Sequence, residues 1–284
     1  MTETIVDLYE YYHQERGQAR GGCLTAWRIP TAPEISPCRV RPGVLILPGG
    51  AYRYTSPREA APVALRFAAR GFVPFVLNYS CAPSAFPTAL REAAMAMKYI
   101  RQNARDYEVG TDMVAAVGFS AGGHLCGCLG TLYDCPELKD IGPGELLRPD
   151  ALGLCYPVTL GFGKTHEESL QNISGGSPEL RERLSLDACV RPDMPPVFLW
   201  HTRDDSSVPC RGSLLLAAAM EAQGVDFACH IYRQGSHGLS TADQEVFPVG
   251  SVPDMSREIP GWVEHMIAFF REVGLTQRDG EARA

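Results

Sequence analysis

A chain of 284 residues, 45% hydrophobic and 21% charged, has globular composition and can bury a substantial core without staples. A formal net charge of -7 and the lack of a long basic run argue against nucleic acid or an anionic membrane as the main partner. No stretch approaches about 18 uninterrupted apolar residues, so no transmembrane helix is expected.

The opening segment, Met1 to Glu10, is acidic and lacks the apolar core of a secretory signal. Ten cysteines are scattered along the chain with no Cys-x-x-Cys pair, which offers neither a zinc ribbon nor a thioredoxin-type motif. Several sit inside apolar runs, where a thiol packs as a small hydrophobe. The expectation is a cytoplasmic protein with reduced cysteines, folded as a single domain over 1–284.

In chain order, strand and helix signals alternate. A first strand is expected over 23–29 and a fully buried one over 44–47, stopped by Pro48. Ser56 and Pro57 read as N-cap and first helical residue of a helix running to about Arg70, with Gly71 as its stop. A strand over 72–77 follows, then a helix opened by Thr88 with apolar or small residues at helical spacing. Further strands are expected over 113–117, 151–156, 197–200 and 227–232. A helix over 211–223 ends at Gly224, and a last helix spans about 261–273. The tail 276–284 is expected to fray. Segment 157–195 breaks the alternation and reads as an insertion with short helices that partly covers a site. Short apolar strands separated by helices imply a parallel sheet covered on both faces, with ligands beyond the carboxyl ends of the strands.

Those strand ends hold the chemistry. Gly118-Phe119-Ser120-Ala121-Gly122-Gly123-His124 stands between the strand over 113–117 and a helical run over 125–132. Gly-x-Ser-x-Gly in that context puts a serine on a sharp, strained turn with its hydroxyl above the sheet. A serine hydroxyl needs a base to take its proton and a carboxylate to orient that base. Chain order for such a fold is Ser, acid, His. After the strand over 197–200, Asp204 or Asp205 can supply the acid. After the strand over 227–232, His237 sits between small residues in Gln234-Gly-Ser-His-Gly238 and can supply the base. His124, His230 and His265 fall inside helices or a strand, His13 and His166 fall outside the order, and His201 lies too near the acid in sequence to partner it. Pro48-Gly-Gly-Ala-Tyr52, after the first buried strand, can bring backbone N–H groups to a developing negative charge alongside the Ala121 amide. Tyr52, Phe119, Tyr156 and Leu239 follow motif or strand ends and are expected to line the pocket.

Together these parts resemble the α/β-hydrolase family, and more narrowly its acetylesterase and xylan-esterase-like branch, grouped with bacterial feruloyl-esterase-like proteins. The resemblance runs from about Leu45 to about Gly238. It is carried by Leu47-Pro-Gly-Gly-Ala-Tyr52, Gly118-Phe-Ser-Ala-Gly-Gly-His124, Pro195-Pro-Val-Phe-Leu-Trp-His-Thr202 with Asp205-Ser-Ser-Val-Pro209, and Gly235-Ser-His-Gly-Leu239. It implies an α/β fold with a mostly parallel central sheet, helices on both faces, and a small insertion after the sixth core strand. It implies Ser120 as nucleophile, His237 as base, and Asp205 rather than Asp204 as acid. It implies an oxyanion hole at the amides of Gly50 and Ala51, completed by Ala121. Two positions depart from the pattern: Ala51 replaces a third glycine, and Pro48 replaces a histidine found in some relatives. The implied activity is hydrolysis of short acyl esters, acetyl foremost, on small molecules such as acetylated oligosaccharides. No metal or organic cofactor is implied. The rival readings are an arylformamidase, a prolyl-oligopeptidase-like peptidase, for which 284 residues leave no room for a propeller, and a non-catalytic binding protein.

Overall fold

The computed structural model describes residues 2–28, 30–32, 34 and 39–279. Eight strands, β1 (Thr2–Asp7), β2 (Cys23–Arg28), β3 (Arg39–Leu47), β4 (Val73–Asn78), β5 (Val109–Phe119), β6 (Ala151–Cys155), β7 (Val197–Thr202) and β8 (Phe227–Tyr232), lie side by side in the order β1-β2-β4-β3-β5-β6-β7-β8. β2 runs antiparallel to β1 and β4, and every neighbouring pair from β4 to β8 is parallel.

The apolar runs are continuous because both faces of the sheet are covered. Successive residues point to opposite sides. Leu45 and Leu47 of β3, Val114 and Ala116 of β5, and Val197 and Leu199 of β7 belong to one core, which includes residues of helices Thr88–Gln102, Ala121–Thr131 and Arg211–Ala222. Val44, Ile46, Val117, Phe119, Phe198 and Trp200 belong to the other, beneath helices Ala61–Ala69 and Trp262–Glu272.

The structure departs from the sequence reading in three places. β1 was not expected; four of its six residues are exposed, so it shows no alternation of apolar and polar residues, and it forms by antiparallel pairing with β2. The helix expected from Ser56 is split. A 3-10 turn, Pro57–Glu59, precedes a break at Ala60, and Ser56 makes no side-chain cap. The split lets Glu59 turn inward, where it is buried. The tail does not fray at once: β9 (Arg278–Asp279) pairs antiparallel with Arg39 and Val40, and Arg278 forms an ion pair with Asp112. Residues 280–284 of that tail, and residue 29 of the first expected strand, lie outside the described residues. Segment 157–195 contains three short helices, Glu167–Ser174, Pro178–Arg183 and Leu186–Cys189. Nine cysteines carry free thiols among the described residues, and no helix there is long and apolar enough to cross a membrane.

Candidate active site

The site lies at the carboxyl ends of β3, β5, β6, β7 and β8. At the end of β5 the chain enters the helix Ala121–Thr131 through Ser120, whose φ of 53° and ψ of -116° are strained for a residue with a side chain. Its backbone is held on every side. The Ser120 amide donates to the Cys155 carbonyl at 3.0 Å, and the Ser120 carbonyl accepts from His124 at 3.0 Å and Val158 at 3.1 Å. The turn also needs glycine at 118 and 122. A Cβ on Gly118 would sit 2.1 Å from the Gly122 carbonyl oxygen, and one on Gly122 would sit 2.1 Å from that of Leu47.

Ser120 Oγ lies 2.8 Å from His237 Nε2, and His237 Nδ1 lies 2.6 Å from Asp205 Oδ2. With the N–H on Nδ1 facing the carboxylate, Nε2 is free to accept the serine proton. Asp205 is fully buried at its side chain, whereas that of His237 is 20% exposed. The other carboxylate oxygen, Oδ1, accepts from the amides of Ser207 and Val208 at 2.9 Å each. Burial works to raise the Asp205 pKa. Hydrogen bonds from His201 and His237, the His237 charge and the Val208 amide outweigh it and hold the carboxyl well below its ordinary range. Asp204 faces the other way and accepts from the Gly235 amide at 2.8 Å, so it fastens the loop that carries His237.

His201 corrects one sequence argument. Nearness in sequence to the acid does not keep it from that acid: its Nε2 lies 3.3 Å from Asp205 Oδ2 and 2.9 Å from the Val208 carbonyl. Both neighbours are acceptors, so Nε2 carries the proton, while Nδ1 meets the Ser213 hydroxyl at 2.8 Å.

The loop after β3 brings Gly50 and Ala51 to the cleft beside Ser120. Gly50 has φ +129°, and a Cβ there would lie 2.1 Å from the Tyr54 carbonyl oxygen. Among the described residues no acceptor is matched to the amides of Gly50, Ala51 or Ala121. Those three donors are available to an oxyanion formed at Ser120.

Tyr52, Phe119, Tyr156 and Leu239 do not line the cleft as expected; all four are buried. Positive φ angles at Ala51 (58°) and Tyr52 (54°) turn the Tyr52 ring down, where its hydroxyl meets His124 Nδ1 at 2.8 Å. Phe119 falls on the inward phase of β5, against Tyr156 and Trp262. Tyr156, at φ 37°, also turns inward, and Leu239 packs in the same core. His124 is buried too. Its Nε2 meets the Leu184 carbonyl at 2.8 Å, and burial lowers its pKa to about 4, so the ring is neutral and joins the elbow to segment 157–195.

The cleft itself has a volume of about 260 Å³ and a polar mouth, with Arg53, Tyr54, Arg58, His166 and Glu168 around Ser120 and His237. His166 and Glu168 come from segment 157–195, whose Asn172 donates to the Ala51 carbonyl at 2.8 Å. Burial, then the nearby His237 charge, lowers the His166 pKa. Sequence reasoning also missed Glu59. One of its oxygens accepts from the Gly49 amide at 2.7 Å and the other from the Tyr156 hydroxyl at 2.6 Å. Its only sequence signal is an acid a few residues beyond the glycine loop, which reads equally well as a residue of a helix's first turn.

The BD-FAE family model matches residues 36–143. The solved structure of an acetyl ester-xyloside bifunctional hydrolase from Caldicellulosiruptor lactoaceticus has a TM-score of 0.82 to this chain at 30% identity, covering 96% of this chain and 97% of that one. The chain belongs to the acetylesterase and xylan-esterase-like branch of the α/β hydrolases. This α/β hydrolase is also similar to the carboxylesterase Cest-2923 of Lactobacillus plantarum, with TM-score 0.79, 28% identity, and coverage of 91% of this chain and 98% of that one. Over 226 residues it is 34% identical to endo-1,4-beta-xylanase B of Butyrivibrio fibrisolvens, covering 76% of this chain and 35% of that protein. The chain spans from about a third to about half the length of the curated relatives it matches.

Proposed function

We propose that this α/β hydrolase is a serine carboxylic-ester hydrolase that removes short acyl groups, acetyl foremost, from sugars or oligosaccharides. The observation that carries the chemistry is the chain of hydrogen bonds from Ser120 to His237 to Asp205, at 2.8 and 2.6 Å, beside three unengaged amides. Ser120 Oγ attacks the ester carbonyl as His237 Nε2 takes its proton. The imidazolium is stabilised by Asp205, and the oxyanion forms against Gly50, Ala51 and Ala121. His237 then protonates the leaving alcohol. Water, activated by the same imidazole, attacks the acyl-enzyme and releases the acid. This chemistry needs no cofactor.

The substrate class rests on three supports. A cleft of about 260 Å³ is smaller than the range of about 300–1,000 Å³ usual for drug-sized ligands, which favours a short acyl group. The polar mouth formed by Arg53, Tyr54, Arg58, His166 and Glu168 suits a hydroxyl-rich alcohol. Relatives described as an acetylxylan esterase and as an acetyl ester-xyloside hydrolase point the same way.

The test is hydrolysis of acetyl, butyryl and octanoyl aryl esters beside an acetylated xylo-oligosaccharide and an aryl formamide, with Ser120→Ala as control. Acetyl cleavage that vanishes in the control is expected. Cleavage of the formamide alone, or preference for octanoyl esters with acetyl sugars untouched, would refute this reading.

A further inference from the structure

We propose that Glu59 is a positioning residue of this site: one buried carboxylate that holds the oxyanion loop and the histidine loop in register with each other. The proposal rests on the ester-hydrolase reading above.

Three segments distant in sequence meet at Glu59. The Gly49 amide, after β3, donates to Glu59 Oε2, and the Tyr156 hydroxyl, after β6, donates to Oε1. The Tyr156 oxygen in turn accepts from the Ser240 amide at 2.9 Å, in the loop after β8 that carries His237. The Ser240 carbonyl is held by Trp262 Nε1 at 2.8 Å, and its hydroxyl donates to the Arg58 carbonyl at 2.5 Å. The Tyr156 ring meets the His237 imidazole edge to face, with centroids 5.1 Å apart.

The consequence is geometric. Gly49 gives its N–H to Glu59, in the wall of the cleft, while the next two amides, Gly50 and Ala51, have no acceptor among the described residues and lie beside Ser120. A carboxylate is an expensive way to fill a core, because burying it costs several kcal/mol before its partners compensate. An apolar side chain would fill the same space without that cost. Glu59 can do what an apolar residue cannot: fix two donors from separate loops at one point. Tyr156 shows the same constraint, since it holds a φ of 37° while its hydroxyl is bonded on both sides.

Glutamine at 59 keeps one accepting oxygen, so either Gly49 N–H or the Tyr156 hydroxyl loses its acceptor. The experiment compares the full-length protein with Glu59→Gln, Tyr156→Phe and the double variant on an aryl acetate. Active sites are counted with an aryl phosphonate, and Tm is measured in parallel. Glu59→Gln is expected to lower kcat per titrated site by about 10- to 100-fold with KM within about threefold, a smaller loss than deleting an oxyanion donor outright. The double variant should be no worse than the worse of the two single variants, because both changes interrupt one chain of bonds from Gly49 through Glu59 and Tyr156 to Ser240. An unchanged kcat, a rise in KM alone, or losses that multiply would overturn the proposal. If Glu59→Gln does not fold, Tyr156→Phe decides by the same kcat-against-KM criterion. An inactive parent protein, or activity that survives Ser120→Ala, would remove the hydrolase reading and this proposal with it. An active parent, a dead Ser120→Ala and an indifferent Glu59→Gln would remove the proposal alone.

Discussion

Replacing Asp205 by asparagine changes one atom, and the surrounding bonds dictate which one. Oδ1 accepts from the amides of Ser207 and Val208, both at 2.9 Å, so the asparagine oxygen must remain there. The new NH2 then takes the place of Oδ2, 2.6 Å from His237 Nδ1 and 3.3 Å from the Nε2–H of His201. An NH2 group donates, so His237 can meet it only with a bare Nδ1. The ring proton moves to Nε2, which then points an N–H at Ser120 and can no longer accept from it. The equivalent change in a well-studied serine protease lowers kcat about 10⁴-fold, or about 5 kcal/mol of transition-state stabilisation. A loss of that order is expected here. Asp204→Asn offers the internal comparison, since its Oδ1 can go on accepting from the Gly235 amide at 2.8 Å. That variant should keep kcat within about threefold. The assay is aryl acetate hydrolysis normalised to phosphonate-titrated sites. Asp205→Asn within tenfold of the parent, or Asp204→Asn equally damaged, would refute the orientation argument.

Two further outcomes follow from the same contacts. His124 is buried and neutral, with a pKa lowered from 6.5 to about 4, so below pH 6.5 the unfolded chain takes up a proton that the folded chain refuses. Stability from this group is complete above pH 6.5 and is lost as pH falls toward 4, by up to about 3 kcal/mol. His124→Gln can keep both hydrogen bonds without titrating, so denaturant unfolding from pH 7 to 4 should show a flatter acid limb; parallel curves would contradict the assignment. Gly122→Ala would set a Cβ 2.1 Å from the Leu47 carbonyl oxygen and 2.4 Å from that of Pro48, forcing the elbow helix off the end of β3. A cost of about 1–3 kcal/mol is expected, read as a lower Tm together with a lower kcat; an unaltered Tm would show that the helix has room to spare.

Much of the architecture was legible because both periodicities are strong. Runs such as Val44 to Leu47 and Val197 to Trp200 are apolar at every position, as a sheet covered on both faces demands. β1 gave no such signal, since its exposed residues are held by pairing with β2 rather than by burial. Ser120, His237 and an aspartate after β7 stood out through chain order and position at strand ends, and in the structure they meet. Residue types could not separate Asp204 from Asp205. Neighbours in one turn point in opposite directions; the resemblance implied Asp205, and in the structure it is Asp205 that lies against His237. The four expected pocket residues failed for a similar reason. Position after a strand says a residue is near the cleft, but φ at Tyr52 and Tyr156 and strand phase at Phe119 decide whether it points in or down. Glu59 stayed hidden because its partners come from residues 49 and 156, the second of them 97 residues away.

The second histidine beside Asp205 bears on how the site is put together. A buried carboxylate stranded by the departure of its only cation or donor would carry a penalty of several kcal/mol. Here His201, fixed between Ser213 and Val208, and the amides of Ser207 and Val208 keep three donors on Asp205 whether or not His237 is in place. The acid can therefore be folded and solvated by protein before the β8 loop docks. On the proposed mechanism, those donors would hold the carboxylate in its seat while the imidazole passes its proton to a leaving alcohol or takes one from an entering water.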